Sequence, residues 1–119
     1  MLTPTSALRI FVCLEPTDMR KSFDGLSGLV QQHLGEDPLS GALFLFCNRR
    51  RDRLKLLYWD GDGFALWYKR LEAGTFQLPS PSNESRHLPI SHGDLMLLLD
   101  GVDLSSIRRR KRYRRGSGA

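Results

Sequence analysis

Two apolar runs separated by five polar residues constrain this chain more than any other feature. Ala42-Leu-Phe-Leu-Phe-Cys47 is continuously apolar, as expected of a strand covered on both faces. Arg53-Leu-Lys-Leu-Leu-Tyr-Trp59 reads as a second strand, and Asn48 to Asp52 as the charged turn between them. Two apolar runs flanking a short polar connection predict a hairpin. The chain is thereby committed to a sheet, and the other segments can be read as its neighbours or its cover.

Arg9 to Leu14 is a short apolar run with β-branched and aromatic members, so it reads as a strand that Pro16 ends. Met19, Phe23, Leu26, Leu29, Val30 and Leu34 recur at three- and four-residue spacing, predicting a helix over 18–34. Thr17 or Asp18 supplies its cap and Gly35 its stop. Gly25 and Gly28 each cost about 1 kcal/mol against Ala inside that helix, which suggests close packing. Residues 36–41 and 60–63 are turns. Residues 64–73 fit two patterns: Phe64, Trp67, Tyr68 and Leu71 have helical spacing, while the preceding Asp-Gly turn would pair a third strand. Helix is the favoured reading. Thr75 to Pro79 is an extended piece and 79–89 a polar loop. Ser91 caps a short helix from Leu95 to Leu99 that ends at Gly101. The expected fold is a single small α+β domain over residues 1–106. Its sheet is mainly antiparallel, with one longer helix and one or two short ones, followed by a flexible basic C-terminal tail at 107–119.

A chain of 119 residues can bury one core without staples. No apolar run nears the roughly 20 residues of a membrane helix, and the N-terminus lacks the charged and apolar regions of a secretion signal. A cytoplasmic location is therefore expected, association with the nucleoid included. Cys13 and Cys47 lie in apolar runs outside any Cys-x-x-Cys spacing, and His33, His87 and His92 are scattered. Buried thiols are favoured over a disulfide or metal ligands, and neither a metal site nor a cofactor is expected.

The net charge of +5 is unevenly placed. Arg108, Arg109, Arg110, Lys111, Arg112, Arg114 and Arg115 supply seven of the eighteen basic residues, with Tyr113 among them. Residues 1–107 hold the other eleven against all thirteen acids, a net of −2. The tail's charge density suits DNA, which carries a phosphate every roughly 1.7 Å of duplex axis. Neutralising about five phosphates would give a log–log salt slope near −4.5. An acidic protein partner and a solvated tail are the competing readings. A second cationic group, Arg49, Arg50, Arg51, Arg53 and Lys55, lies at the hairpin tip and along one strand, where a ribbon can approach a groove. Its competing reading is protection of a sheet edge. Lys69 and Arg70 extend the same surface.

The carboxylates Asp18, Asp24, Asp60, Asp62, Glu72 and Asp94 show no spacing of a two-metal site. Neither a phosphate-loop motif nor a nucleophile–His–acid pattern is present, so no catalytic residue and no small-molecule substrate is expected. Trp59, Phe64 and Trp67 crowd one turn with Tyr58 and Tyr68. Core filling is the default for such a cluster, and a partner-binding patch the alternative.

Several blocks appear in a fixed order: Asp18-Met-Arg-Lys-Ser-Phe-Asp-Gly-Leu26, Asp37-Pro-Leu-Ser-Gly41, Phe46-Cys-Asn-Arg-Arg-Arg-Asp-Arg-Leu-Lys55, and Leu57-Tyr-Trp-Asp-Gly-Asp-Gly-Phe64. Lys69-Arg-Leu-Glu72, Gly74 and Phe76 follow. This succession, over about residues 9–101, resembles the TnpB accessory proteins, second open reading frame products of insertion-sequence-66-type (IS66) elements. The RNA-guided nuclease that shares the name TnpB has motifs not found here. One departure is Leu78-Pro79, where that family tends to have Trp-Pro. The resemblance implies a role in DNA transposition beside a separate, larger transposase, and it brings no catalytic residues. The expected function is a non-catalytic accessory factor that binds DNA non-specifically through the tail and hairpin. A protein-only adaptor of the transposase is the alternative, and a cryptic metal-dependent nuclease a third reading.

Overall fold

The structure, a computed structural model, describes residues 8–78 and 87–100. The expected basic tail, the boundary at 106/107, the Gly101 helix stop and most of the 79–89 loop lie outside the described residues. The elements are β1 (Ile10–Cys13), α1 (Phe23–Gln32), β2 (Leu43–Cys47), β3 (Arg53–Trp59), β4 (Phe64–Arg70), β5 (His87–Ile90) and α2 (His92–Leu99). The five strands form one sheet in the order β4-β3-β2-β1-β5. β1 and β2, joined through α1, are parallel, and the other three pairings are antiparallel.

Strand alternation explains why β2 is apolar throughout. Phe44 and Phe46 face one side, where they pack with Phe11, Cys13 and Leu57 against Leu26 and Val30 of α1. Leu45 and Cys47 face the other, with Ile10, Val12, Leu54 and Leu56 against Phe76 and the α2 residues Leu95 and Leu98. Each face of the central strands is thus covered, and truncating fully buried Phe44 or Phe46 to Ala should cost about 3–5 kcal/mol.

Four sequence expectations are corrected. The first helix begins at Phe23 rather than residue 18, with Ser22 at the cap and no side-chain cap bond, because Asp18 instead holds Arg20. Residues 64–70 are strand, not helix. Gly61 (φ +90°) and the Asp60 N–H to Gly63 carbonyl bond (2.8 Å) close a two-residue turn, and all seven β4 residues then pair with β3. Cross-strand pairing outweighs the helical spacing. Part of the expected polar loop is β5, which tolerates Pro89 because it lies at the sheet edge. The second helix begins at His92 rather than Leu95, directly after its Ser91 cap; the piece after residue 74 runs irregularly over 75–78 and buries Phe76, whose N–H donates to the Arg51 carbonyl at 2.7 Å.

Other expectations hold in detail. Gly35 ends the first helical segment at φ +66°, and Ser91 accepts from the Asp94 N–H (3.0 Å) to cap α2. A Cβ at Gly25 would stand 3.1 Å from Lys21 Cβ, whereas Gly28 has open space, so only Gly25 marks a close approach.

Candidate nucleic-acid interface

Asn48 organises the β2–β3 tip. Its Oδ1 accepts from the N–H groups of Asp52 (3.1 Å) and Arg53 (3.0 Å), and its Nδ2 donates to Asp52 Oδ1 at 2.7 Å. This knot holds Arg51 at φ 60°, a region few non-glycine residues enter. The three successive arginines consequently diverge. Arg49 and Arg50 are exposed and make no side-chain hydrogen bond or salt bridge among the described residues. Arg51 turns back, and its guanidinium donates to the Leu78 carbonyl. Arg53 is half-buried and donates to the Tyr68 hydroxyl at 3.4 Å.

Lys55 was expected to face DNA with these arginines, but the structure turns it inward. The residue is buried, and its ammonium donates to the carbonyls of Met19 and Lys21, each at 2.7 Å. The same nitrogen lies 4.7 Å from the Tyr68 ring centroid. With the Thr17 N–H to Cys47 carbonyl bond (2.8 Å), these contacts fasten residues 17–21 to the sheet. That loop and the hairpin tip enclose an open cleft of about 680 Å³, lined by residues 16–20, 48–50 and 52–53.

Four cations (Arg20, Arg49, Arg50 and Arg53) and two acids (Asp18 and Asp52) line the cleft. Both acids are engaged. Arg20 grips Asp18 through Nε and Nη2 (2.7 Å at the shortest), and that hydrogen bonding lowers the Asp18 pKa to about 2. Asp52 is also lowered, first by the Asn48 amide and further by the charges of Arg50 and Arg53. Arg49 and Arg50 are left as exposed cations with no salt bridge among the described residues. Arg70 stands opposite Arg53 on β4 and pairs with Glu72 at 3.0 Å, while Lys69 is opposite Leu54 on the other face.

The aromatic cluster divides. Trp59 and Phe64 are half-buried and meet edge to face, with centroids 5.1 Å apart, across the β3–β4 turn. Trp67 is 41% exposed and points to the sheet face opposite Tyr68, which is 47% exposed. Sequence reasoning did not single out Arg20 or Tyr68 for this surface. Thr17 and Lys55 hold the Arg20 loop there across thirty or more residues, and Tyr68 arrives only once residues 64–70 pair as a strand, which sets it opposite Lys55.

Cys13 and Cys47 are free and buried, and burial pushes the Cys47 thiol up to about 11. Asp60 and Asp62 belong to the β3–β4 turn. Among the described residues no three His, Cys, Asp or Glu side chains gather as metal ligands would. No helix among them is long and apolar enough to cross a membrane.

This cationic hairpin on a five-stranded sheet belongs to a chain with defined relatives. The family described as IS66 Orf2 like protein matches residues 8–109. The chain belongs to that family, whose members are transposition-associated accessory proteins. Two similar proteins come from Sinorhizobium fredii. Uncharacterized protein y4jC is 38% identical over 110 residues, covering 92% of each chain. Uncharacterized protein y4hO is 39% identical over 103 residues, covering 87% of this chain and 88% of its own. No solved structure matches the chain.

Proposed function

We propose that this protein is a non-catalytic, DNA-contacting accessory factor that works with the transposase of its element in the cytoplasm. The observation that carries this reading is the convergence of Arg49, Arg50, Arg53 and Arg20 on one open cleft. Arg49 and Arg50 supply solvent-exposed cations, and the Asn48 knot fixes the backbone that presents them. Such contacts neutralise phosphates and set orientation without selecting sequence. The domain of residues 1–106 thereby positions the DNA, and the arginine-rich tail of 107–119 adds charge through Arg108 to Arg115.

The test is fluorescence-anisotropy binding of the full chain to a labelled duplex across a salt series. Each phosphate-contacting cation removed should flatten the log–log slope by about 1. The double variant Arg49→Ala/Arg50→Ala should therefore lose about 2 units of slope, and a chain ending at Ile107 should lose more. Absence of binding by the full chain at low salt, to this duplex and to its separated strands alike, would refute the reading.

A second reading, protein-only docking on the transposase, is favoured by the outer edge of β4, which pairs with no further strand among the described residues. The Leu71 N–H donates to the Asp52 carbonyl (2.7 Å), so Ala65, Trp67 and Lys69 turn their backbone groups toward β3. Phe64, Leu66, Tyr68 and Arg70 turn theirs outward, ready for strand addition, with exposed Trp67 as an anchor. In this reading, Trp67→Ser abolishes transposase capture, and the full chain alone retains no DNA at low salt.

A further inference from the structure

Tyr68 is held as a rigid plate on the cationic surface. On one side the Lys55 ammonium lies 4.7 Å from the ring centroid, and that ammonium is itself fixed by two backbone carbonyls at 2.7 Å. The hydroxyl accepts from Arg53 Nη1 at 3.4 Å. Nearly half of the residue nevertheless stays open to solvent. An aromatic ring with so little freedom left has little conformational entropy to lose when a second ring stacks on it.

The surroundings indicate what that second ring belongs to. Arg53 is opposite Arg70, and Lys55 opposite Tyr68, on the same face of the β3–β4 ribbon. Arg53 also lines the cleft with Arg20, Arg49 and Arg50. An exposed aromatic among backbone-tracking cations is the arrangement that binds unpaired nucleotides, because each base offers a flat face regardless of sequence. In a duplex those faces are already stacked and hidden from a flat sheet surface. Phe23, 43% exposed, begins α1 two residues after the Lys21 carbonyl that Lys55 holds, so a second aromatic adjoins the same region.

We infer that Tyr68 is a base-stacking platform and that the surface it shares with Arg53, Arg70 and the hairpin arginines binds single-stranded DNA in preference to duplex. This inference rests on the DNA-contact reading above and specifies its substrate class.

The experiment compares anisotropy titrations of the full chain with a fluorescein-labelled oligo-dT of ~15 nucleotides and a duplex of equal length, at matched salt. The full chain should bind oligo-dT more tightly, despite the lower charge density of a single strand. Tyr68→Leu should weaken oligo-dT binding roughly 5- to 150-fold, with the salt slope unchanged and duplex binding little altered. Tyr68→Phe should retain binding, and Trp67→Leu, on the opposite face, should not matter. Equal losses on both probes, or no loss on oligo-dT, would overturn the inference while leaving DNA contact in place. Failure of the full chain to bind either probe would remove both readings. A thermal melt of Tyr68→Leu accompanies the titrations; a large drop in Tm with parallel losses on both probes would assign Tyr68 a structural role and also overturn the inference.

Discussion

Replacing Lys55 by Met tests whether a buried ammonium holds the 17–21 loop onto the sheet. Methionine keeps most of the side-chain volume and removes the two bonds to the Met19 and Lys21 carbonyls. Hydrogen bonds from a charged donor contribute about 1.5–3 kcal/mol each, and the aromatic contact with Tyr68 adds about 0.5–1 kcal/mol. Two effects offset this. Methionine carries no desolvation penalty, and water can replace the ammonium at carbonyls in a loop where Met19 is half-buried and Lys21 exposed. The expected net loss is about 2–3 kcal/mol, or roughly 8–12 °C in Tm for a domain of this size. Urea unfolding followed by tryptophan fluorescence measures it directly, because Trp59 and Trp67 lie on β3 and β4. The urea midpoint should fall with an unchanged slope. A loss below about 0.5 kcal/mol would refute the reasoning and show that desolvation cancels both bonds. The DNA salt slope of Lys55→Met should match that of the parent. A slope flatter by about 1 would instead put Lys55 on a phosphate.

Three further outcomes follow from the geometry. The Asp18 carboxyl, lowered from 3.8 to about 2, should titrate by NMR near that value. Because its folded pKa is depressed, the stability it contributes is present above the unfolded value of 3.8 and is lost as pH falls through about 2; a midpoint near 3.8 would contradict the Arg20 grip. With its thiol pushed up to about 11, Cys47 should resist disulfide reagents at neutral pH until the chain unfolds, and rapid native labelling would contradict its burial. Gly61→Ala, at φ +90°, should destabilise by about 1–2 kcal/mol in urea; an unchanged midpoint would show that the turn accepts a side chain.

The hairpin was legible because its pattern is local: continuous apolar residues, a polar turn, then a second apolar run. The stripe from Phe23 to Val30 was legible for the same reason, but its start was not. Met19 continues the helical spacing, yet residues 18–22 are held by Arg20 on Asp18 and by Lys55 reaching in from β3. In β4 both sheet faces carry apolar residues, with Leu66 toward α1 and Trp67 away from it, so alternation was hidden and helical spacing appeared by coincidence. The informative signal was the turn, where a glycine at position 61 supports a two-residue hairpin. β5 was obscured by Pro89, which only an edge position excuses. As for the site, clustering identified Arg49, Arg50 and Arg53 as one group. It could not foresee that Arg51 and Lys55 turn inward or that Arg20 arrives from a distant loop.

In the proposed function, DNA lies against the cleft between the 16–20 loop and the hairpin tip. The most direct measurement is an amide and arginine side-chain NMR titration of the full chain with a short DNA. Shifts should concentrate at Arg20, at Asn48 to Arg53 and at Tyr68 and Arg70, beside those of the basic tail. A spectrum in which the tail responds alone, with the hairpin and the 16–20 loop unmoved, would contradict it.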